Sequence, residues 1–127
     1  MPLYTVITQE GCVPDETKAS IAKEITRVHM AVMKVPRNFV RTVFLCYPKG
    51  SGYTGGEEQP TAALNCVLRS GHTIKEKADL MKQLWMVFQN ATGIATDQIA
   101  ISLQEIPANN AMEMGQIMAG IGHEKPL

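Results

Sequence analysis

The sequence predicts an α/β (α+β) domain built from two β-α-β units, with a four-stranded mixed sheet carrying two helices on one face. Three observations carry this: a strand-helix-strand order in residues 2–48, the same order in residues 61–107, and self-similarity between the two at a fixed shift. Displaced by 59 residues, Lys18-Ala19 falls on Lys77-Ala78, Ile21 on Leu80, Ile25 on Leu84, Val28 on Val87, Val40 on Ile99, Phe44 on Leu103 and Pro48 on Pro107. Similarity at one fixed period marks a duplicated architecture. Two such units pair their sheets about a pseudo-twofold axis, which puts both helices on the same side. The chain is read as one domain, with a tail from residue 108 to residue 127 that has no counterpart in the first half.

Each element has a local reason. Leu3-Tyr4-Thr5-Val6-Ile7-Thr8 is rich in β-branched and aromatic residues and reads as the first strand. A loop follows to Pro14, with Asp15 as the expected N-cap of a helix reaching about Met33. Within it Ile21, Ile25, Val28 and Val32 recur at helical intervals opposite Lys18, Lys23 and Arg27, so one face must be buried. Val35-Pro36-Arg37-Asn38 breaks the helix, and residues 39–46 give a second strand. Residues 49–60 hold four glycines and read as a turn-rich excursion or hairpin. The order then repeats: strand 61–68, helix 74–91, a break at Gly93, strand 99–103. In the tail, residues 111–118 are expected to form a short helix with Met112, Met114 and Met118 on its apolar side.

Composition excludes several classes of function. With 45% hydrophobic residues and a formal net charge of zero, there is no electrostatic reason to expect nucleic acid or an anionic membrane as partner. No apolar run approaches the roughly 18 residues of a membrane span, and the N-terminus lacks the features of a signal peptide, so a cytoplasmic location is expected. The three cysteines are expected to be reduced, with Cys12 the exposed one. His29, His72 and His123 lie far apart, no metal-ligand spacing occurs, and no phosphate loop follows the glycines, so neither metal nor cofactor is expected.

The chemistry begins at Met1-Pro2. Removal of the initiator Met, which a small second residue permits, leaves a proline whose nitrogen is a secondary amine, both base and nucleophile; an internal proline nitrogen is an amide and is neither. If the first strands of the two units lie antiparallel side by side, the end of strand 61–68 reaches the start of strand one. Arg69 then sits beside Pro2. Its planar guanidinium fits a carboxylate, so a small unsaturated or 2-oxo acid could be held with its reactive carbon over the amine.

The residues also resemble a known family. Pro2, the duplicated β-α-β unit, Ile25-Thr26-Arg27-Val28-His29, Leu68-Arg69-Ser70-Gly71, the stretch Glu105-Ile106-Pro107-Ala108-Asn109-Asn110-Ala111-Met112-Glu113-Met114-Gly115, and Gly122-His123-Glu124 are similar to the tautomerase superfamily. Within it the cis-3-chloroacrylic acid dehalogenase-like group fits best. That resemblance implies a tautomerase/MIF-like fold, a homotrimer, and the N-terminal proline as catalytic acid or base. Carried over by position, it implies His29 and Glu113 as further catalytic residues, Glu113 helping to activate water, and Arg69 as a substrate-binding arginine. His72, where the dehalogenase has a second arginine, and Ser102, where it has a tyrosine, are carried over as the other expected substrate-binding residues. Histidine is largely neutral at pH 7 and serine is a far weaker acid than tyrosine, so both losses argue against efficient dehalogenation.

The expected activity is keto-enol tautomerisation of a small unsaturated or 2-oxo carboxylic acid, with low-level dehalogenase or hydratase activity. Two alternatives stand beside it: hydration or dehalogenation of haloacrylic or acetylenic acids as the native reaction, or a trimeric binding protein with a vestigial pocket. A sheet covered on one face only also argues for an oligomer, with the tail reaching a neighbour.

Overall fold

The computed structural model describes residues 1–120. Strand β1 (Leu3–Gln9) leads into helix α1 (Asp15–Met33), strand β2 (Arg41–Tyr47) and a small hairpin, β3 (Tyr53–Thr54) and β4 (Glu57–Glu58). The second unit repeats the order as β5 (Ala62–Arg69), α2 (Ile74–Thr92), β6 (Ile99–Ile106) and a second hairpin, β7 (Met112–Glu113) and β8 (Gln116–Ile117). The four long strands form one sheet in the order β2-β1-β5-β6. Each β-α-β unit makes a parallel pair, as a helical crossover requires, and the two units join through the antiparallel pair β1 and β5, with Leu3 opposite Val67.

Strand alternation explains which face is covered. In β1, Tyr4, Val6 and Thr8 are buried while their neighbours are only partly covered. The same alternation buries Ala62, Leu64, Cys66 and Leu68 of β5. Onto this face pack Ile21, Ile25 and Val28 of α1 and Leu80, Leu84 and Phe88 of α2, all fully buried. Burying each such side chain contributes about 1.5–3 kcal/mol, which fixes the register: a one-residue slip would turn the whole set into water. The opposite face is bare in the single chain, exposing Val43 and Leu45. No helix of the described residues is long and apolar enough to cross a membrane.

The duplication runs further than the expected boundaries. The tail does not form a helix over residues 111–118; it forms the β7-β8 hairpin, at the same 59-residue shift from β3-β4. The reason is turn chemistry. Gly55 and Gly56 take φ of 61° and 83°, and Met114 and Gly115 take φ of 55° and 75°, so both turns have positive φ at their two central residues. That geometry closes a two-residue hairpin and forbids a right-handed helix. Two other expectations need correction. Asp15 is the first helical residue rather than a cap, since Pro14 holds the capping position without a side-chain bond. Cys46, not Cys12, is the exposed thiol, because it lies on an edge strand, while Cys12 is partly buried; all three are free. The second strand also starts later than residue 39, which is buried in a 3-10 turn, Arg37–Phe39.

Helix ends differ instructively between the repeats. Helix α2 begins with a full capping box between Thr73 and Glu76 and ends on Gly93 with φ of 68°. At the equivalent position α1 ends on Lys34 with φ of 57°. A side chain with a Cβ pays about 1–2 kcal/mol in this left-handed region, partly offset by the greater entropy glycine loses on folding. Lys34→Gly is therefore expected to raise stability by about 0.5–1 kcal/mol, read as a higher urea midpoint at unchanged slope.

Candidate active site

The antiparallel β1-β5 pairing brings Arg69, the last residue of β5, to the start of β1. Arg69 is only 2% exposed. Its Nη1 donates to the carbonyls of Ala119 (2.7 Å) and Gly120 (3.3 Å), so the tail beyond β8 folds across the site. Pro2 is buried at the head of β1, and its carbonyl accepts a hydrogen bond from the Arg41 backbone NH (3.2 Å). Met1 is present, so the Pro2 nitrogen is an amide here and the free amine is that of Met1.

Around that amine three charged side chains converge. The β7-β8 hairpin turns Glu113 inward, leaving it 9% exposed, and its carboxylate pairs with the Met1 amine through Oε1 and with Arg41 Nη1 through Oε2 (3.1 Å). Beyond these two contacts no described donor hydrogen-bonds either buried oxygen. Burial first, then the guanidinium groups of Arg41 and Arg69, push the amine from 8.0 down to about 5. The Glu113 carboxylate in contact with it opposes that shift.

His29 is reached from the other side. Helix α1 points it into the core, 1% exposed, where Nδ1 lies 2.6 Å from the Tyr4 hydroxyl. Burial first, then His72, the terminal amine and Arg69, lower its pKa from 6.5 to about 3, so it is neutral at all ordinary pH values. His72, in the loop before α2, is also shifted down, by burial first and with Arg69 contributing, while Glu76 and Glu105 oppose. The site thus gathers the amine, Arg69, Arg41 and Glu113 directly, with His29 and His72 within electrostatic reach. Ser102 is not part of this cluster within one chain: it lies mid-strand in β6 on the exposed face, donating to Asn65 Oδ1 (2.8 Å). His123 and Glu124 fall outside the described residues.

Arg41 is the residue that sequence reasoning passed over. It reads as one more polar residue of an edge strand, yet the parallel register sets it opposite Leu3, beside the chain start. A usable signal existed in the duplication, since the equivalent position in β6 is Ala100. The same comparison shows that the cluster is single. Equivalent strand and hairpin positions in the other repeat hold Ala62 for Pro2, Gln9 for Arg69 and Thr54 for Glu113. Among the described residues no group of three His, Cys, Asp or Glu side chains could hold a metal ion.

A terminal amine thus stands at the head of a duplicated β-α-β sheet, with two guanidiniums and a buried carboxylate around it. The family model described as "Putative oxalocrotonate tautomerase enzyme" matches residues 1–113, and the chain belongs to that family. Among solved structures it is similar to N1, a member of the cis-3-chloroacrylic acid dehalogenase family (25% identity, TM-score 0.90, covering 94% of this chain and 85% of that one). It also resembles a fused 4-OT wild-type symmetric trimer (20% identity, TM-score 0.86, 96% and 99%). A third is Pt0534 inactivated by 2-oxo-3-pentynoate (20% identity, TM-score 0.84, 91% and 94%). No curated protein matches.

Proposed function

We propose that the chain is an enzyme that tautomerises a small unsaturated or 2-oxo carboxylic acid, with Pro2, freed by loss of Met1, as its acid-base group. The supporting observation is the convergence of Arg41, Arg69 and Glu113 on the chain's terminal amine. The Pro2 nitrogen lies one residue in from that amine, and Pro2 is itself buried. Burial and two neighbouring guanidiniums favour a neutral amine, which is a base at pH 7.

The reaction then needs little apparatus. Arg69 and Arg41 hold the substrate carboxylate and the oxygen on C2. The Pro2 nitrogen removes the enol O–H proton and becomes an ammonium; as C2=O forms, the electron pair of the C2=C3 bond takes the proton back at C3. Atoms and charge balance, and the amine is regenerated. His29, neutral, serves as a hydrogen-bond donor to the substrate rather than a second cation. His72 adds no permanent charge, and Arg41 supplies the second guanidinium. The bare sheet face exposing Val43 and Leu45 is covered by association into a homotrimer, the assembly of the fused 4-OT relative.

A second reading rests on Glu113. Its buried carboxylate beside the amine favours the ammonium and could hold a water, as addition of water to a haloacrylic or acetylenic acid needs. The pH profile separates the two. For a base, kcat/KM toward an enol acid rises as the amine loses its proton and is flat above an acid limb lying below pH 7. An acid role gives the reverse, activity falling as pH rises through the amine's pKa. Product analysis with an acetylenic acid, showing faster hydration than tautomerisation, would overturn the leading reading.

A further inference from the structure

The first repeat carries a buried polar pair where the second has none. Tyr4 pairs with Thr42 and Leu64 pairs with Ile101, so Tyr4 and Leu64 are equivalent; His29 and Phe88 are equivalent on the helices. Leu64 and Phe88 are apolar and 0% exposed, which shows that this layer of the core packs without any polar group. Tyr4 and His29, 0% and 1% exposed, therefore bear a desolvation cost that the fold itself does not demand.

Their geometry says what the pair does. The Tyr4 hydroxyl stands 2.6 Å from His29 Nδ1, and the rings meet edge to face with centroids 5.5 Å apart. A phenol is a strong donor and a poor acceptor, and so short a contact fits O–H donating to an unprotonated ring nitrogen. Were Nδ1 to carry the hydrogen instead, the phenol would have to donate to the Cys66 sulfur, which is within hydrogen-bonding reach. The groups bearing on His29 are Tyr4 and the terminal amine from β1, Arg69 from β5, and His72 from the loop before α2; Cys66 of β5 bears on the Tyr4 hydroxyl. Cys66 is a thiol, a weak acceptor, and burial keeps it protonated by pushing its pKa up to about 12.

We propose that Tyr4 is a positioning residue that locks His29 as the neutral imidazole bearing its hydrogen on Nε2, so that this NH is the donor His29 presents to a substrate. It rests on the tautomerase reading for the identity of that substrate, but not for the tautomer. The consequence is selectivity for an acid whose oxygen needs a directed neutral donor, rather than an additional positive charge.

The test is nitrogen-15 NMR of the histidine side chains of the full chain between pH 5 and 8, alongside kinetics with an enol acid. The wild type is expected to show His29 neutral throughout, protonated on Nε2 and hydrogen-bonded at Nδ1. Tyr4→Phe, which keeps the ring and removes only the hydroxyl, is expected to mix the tautomers and lower kcat about tenfold or more, with KM within about threefold. A wild-type signature with the hydrogen on Nδ1 overturns the proposal, as does a Tyr4→Phe variant that shifts the tautomer and keeps full kcat. If Pro2→Ala retains full turnover while the wild-type tautomer is as expected, the reaction assigned to the site fails and the tautomer assignment survives.

Discussion

Replacing Pro2 by Ala is expected to lower kcat/KM toward a small enol acid by about two to four orders of magnitude, the range general acid-base catalysis supplies. The loss is chemical rather than structural. Pro2 joins the sheet through its carbonyl, which accepts from Arg41, and alanine offers the same carbonyl. What changes is the nitrogen: the pyrrolidine ring fixes its direction, whereas a primary amine rotates freely and loses the near-attack geometry. The thermal midpoint should therefore move little while turnover collapses. Full retained activity with a normal midpoint would remove Pro2 from the chemistry.

Arg69→Ala should be the second most damaging change and should act in two ways. A hydrogen bond to a charged group contributes about 1.5–3 kcal/mol, and each 1.36 kcal/mol is tenfold in rate. Losing the clamp on the carboxylate therefore predicts a fall of about tenfold to over a hundredfold in kcat/KM. Because the clamp holds the carboxylate before and during reaction, much of the loss should appear as a raised KM. Stability should fall as well, since the carbonyls of Ala119 and Gly120 lose their donor and the strap over the site loosens. Arg69→Lys keeps the charge without the planar fork and should fall between the two. Steady-state kinetics with thermal melts on the three proteins checks both effects; an unchanged KM in Arg69→Ala would contradict the clamp.

The strength of the duplication decided how much could be read in advance. Periodic apolar residues such as Ile21 and Ile25, matched by Leu80 and Leu84, make each helix legible twice, so the two readings support one another. The antiparallel join that brings Arg69 to the chain start is one arrangement that symmetry allows, and it is present as β1 against β5. The tail was misread because methionine-rich spacing resembles a helix, while the decisive signal was the pair of adjacent positive-φ positions matching Gly55-Gly56. Carrying the shift past Pro107 would have exposed it. Arg41 was invisible for a different reason: an edge-strand arginine usually faces water, and only the register places it against the Glu113 carboxylate. The exposed Cys46 shows the limit of composition, since an apolar run does not tell an edge strand from a central one.

Labelling with 2-oxo-3-pentynoate, an acid whose alkynyl ketone is an electrophile for amines, tests the free-amine account most directly. After incubation, proteolysis and peptide mass analysis, one adduct per chain is expected on a peptide that begins at Pro2, formed in step with loss of turnover and slowed by a competing carboxylic acid. A peptide that still begins at Met1, or an unlabelled Pro2 with adducts confined to cysteine, would contradict it.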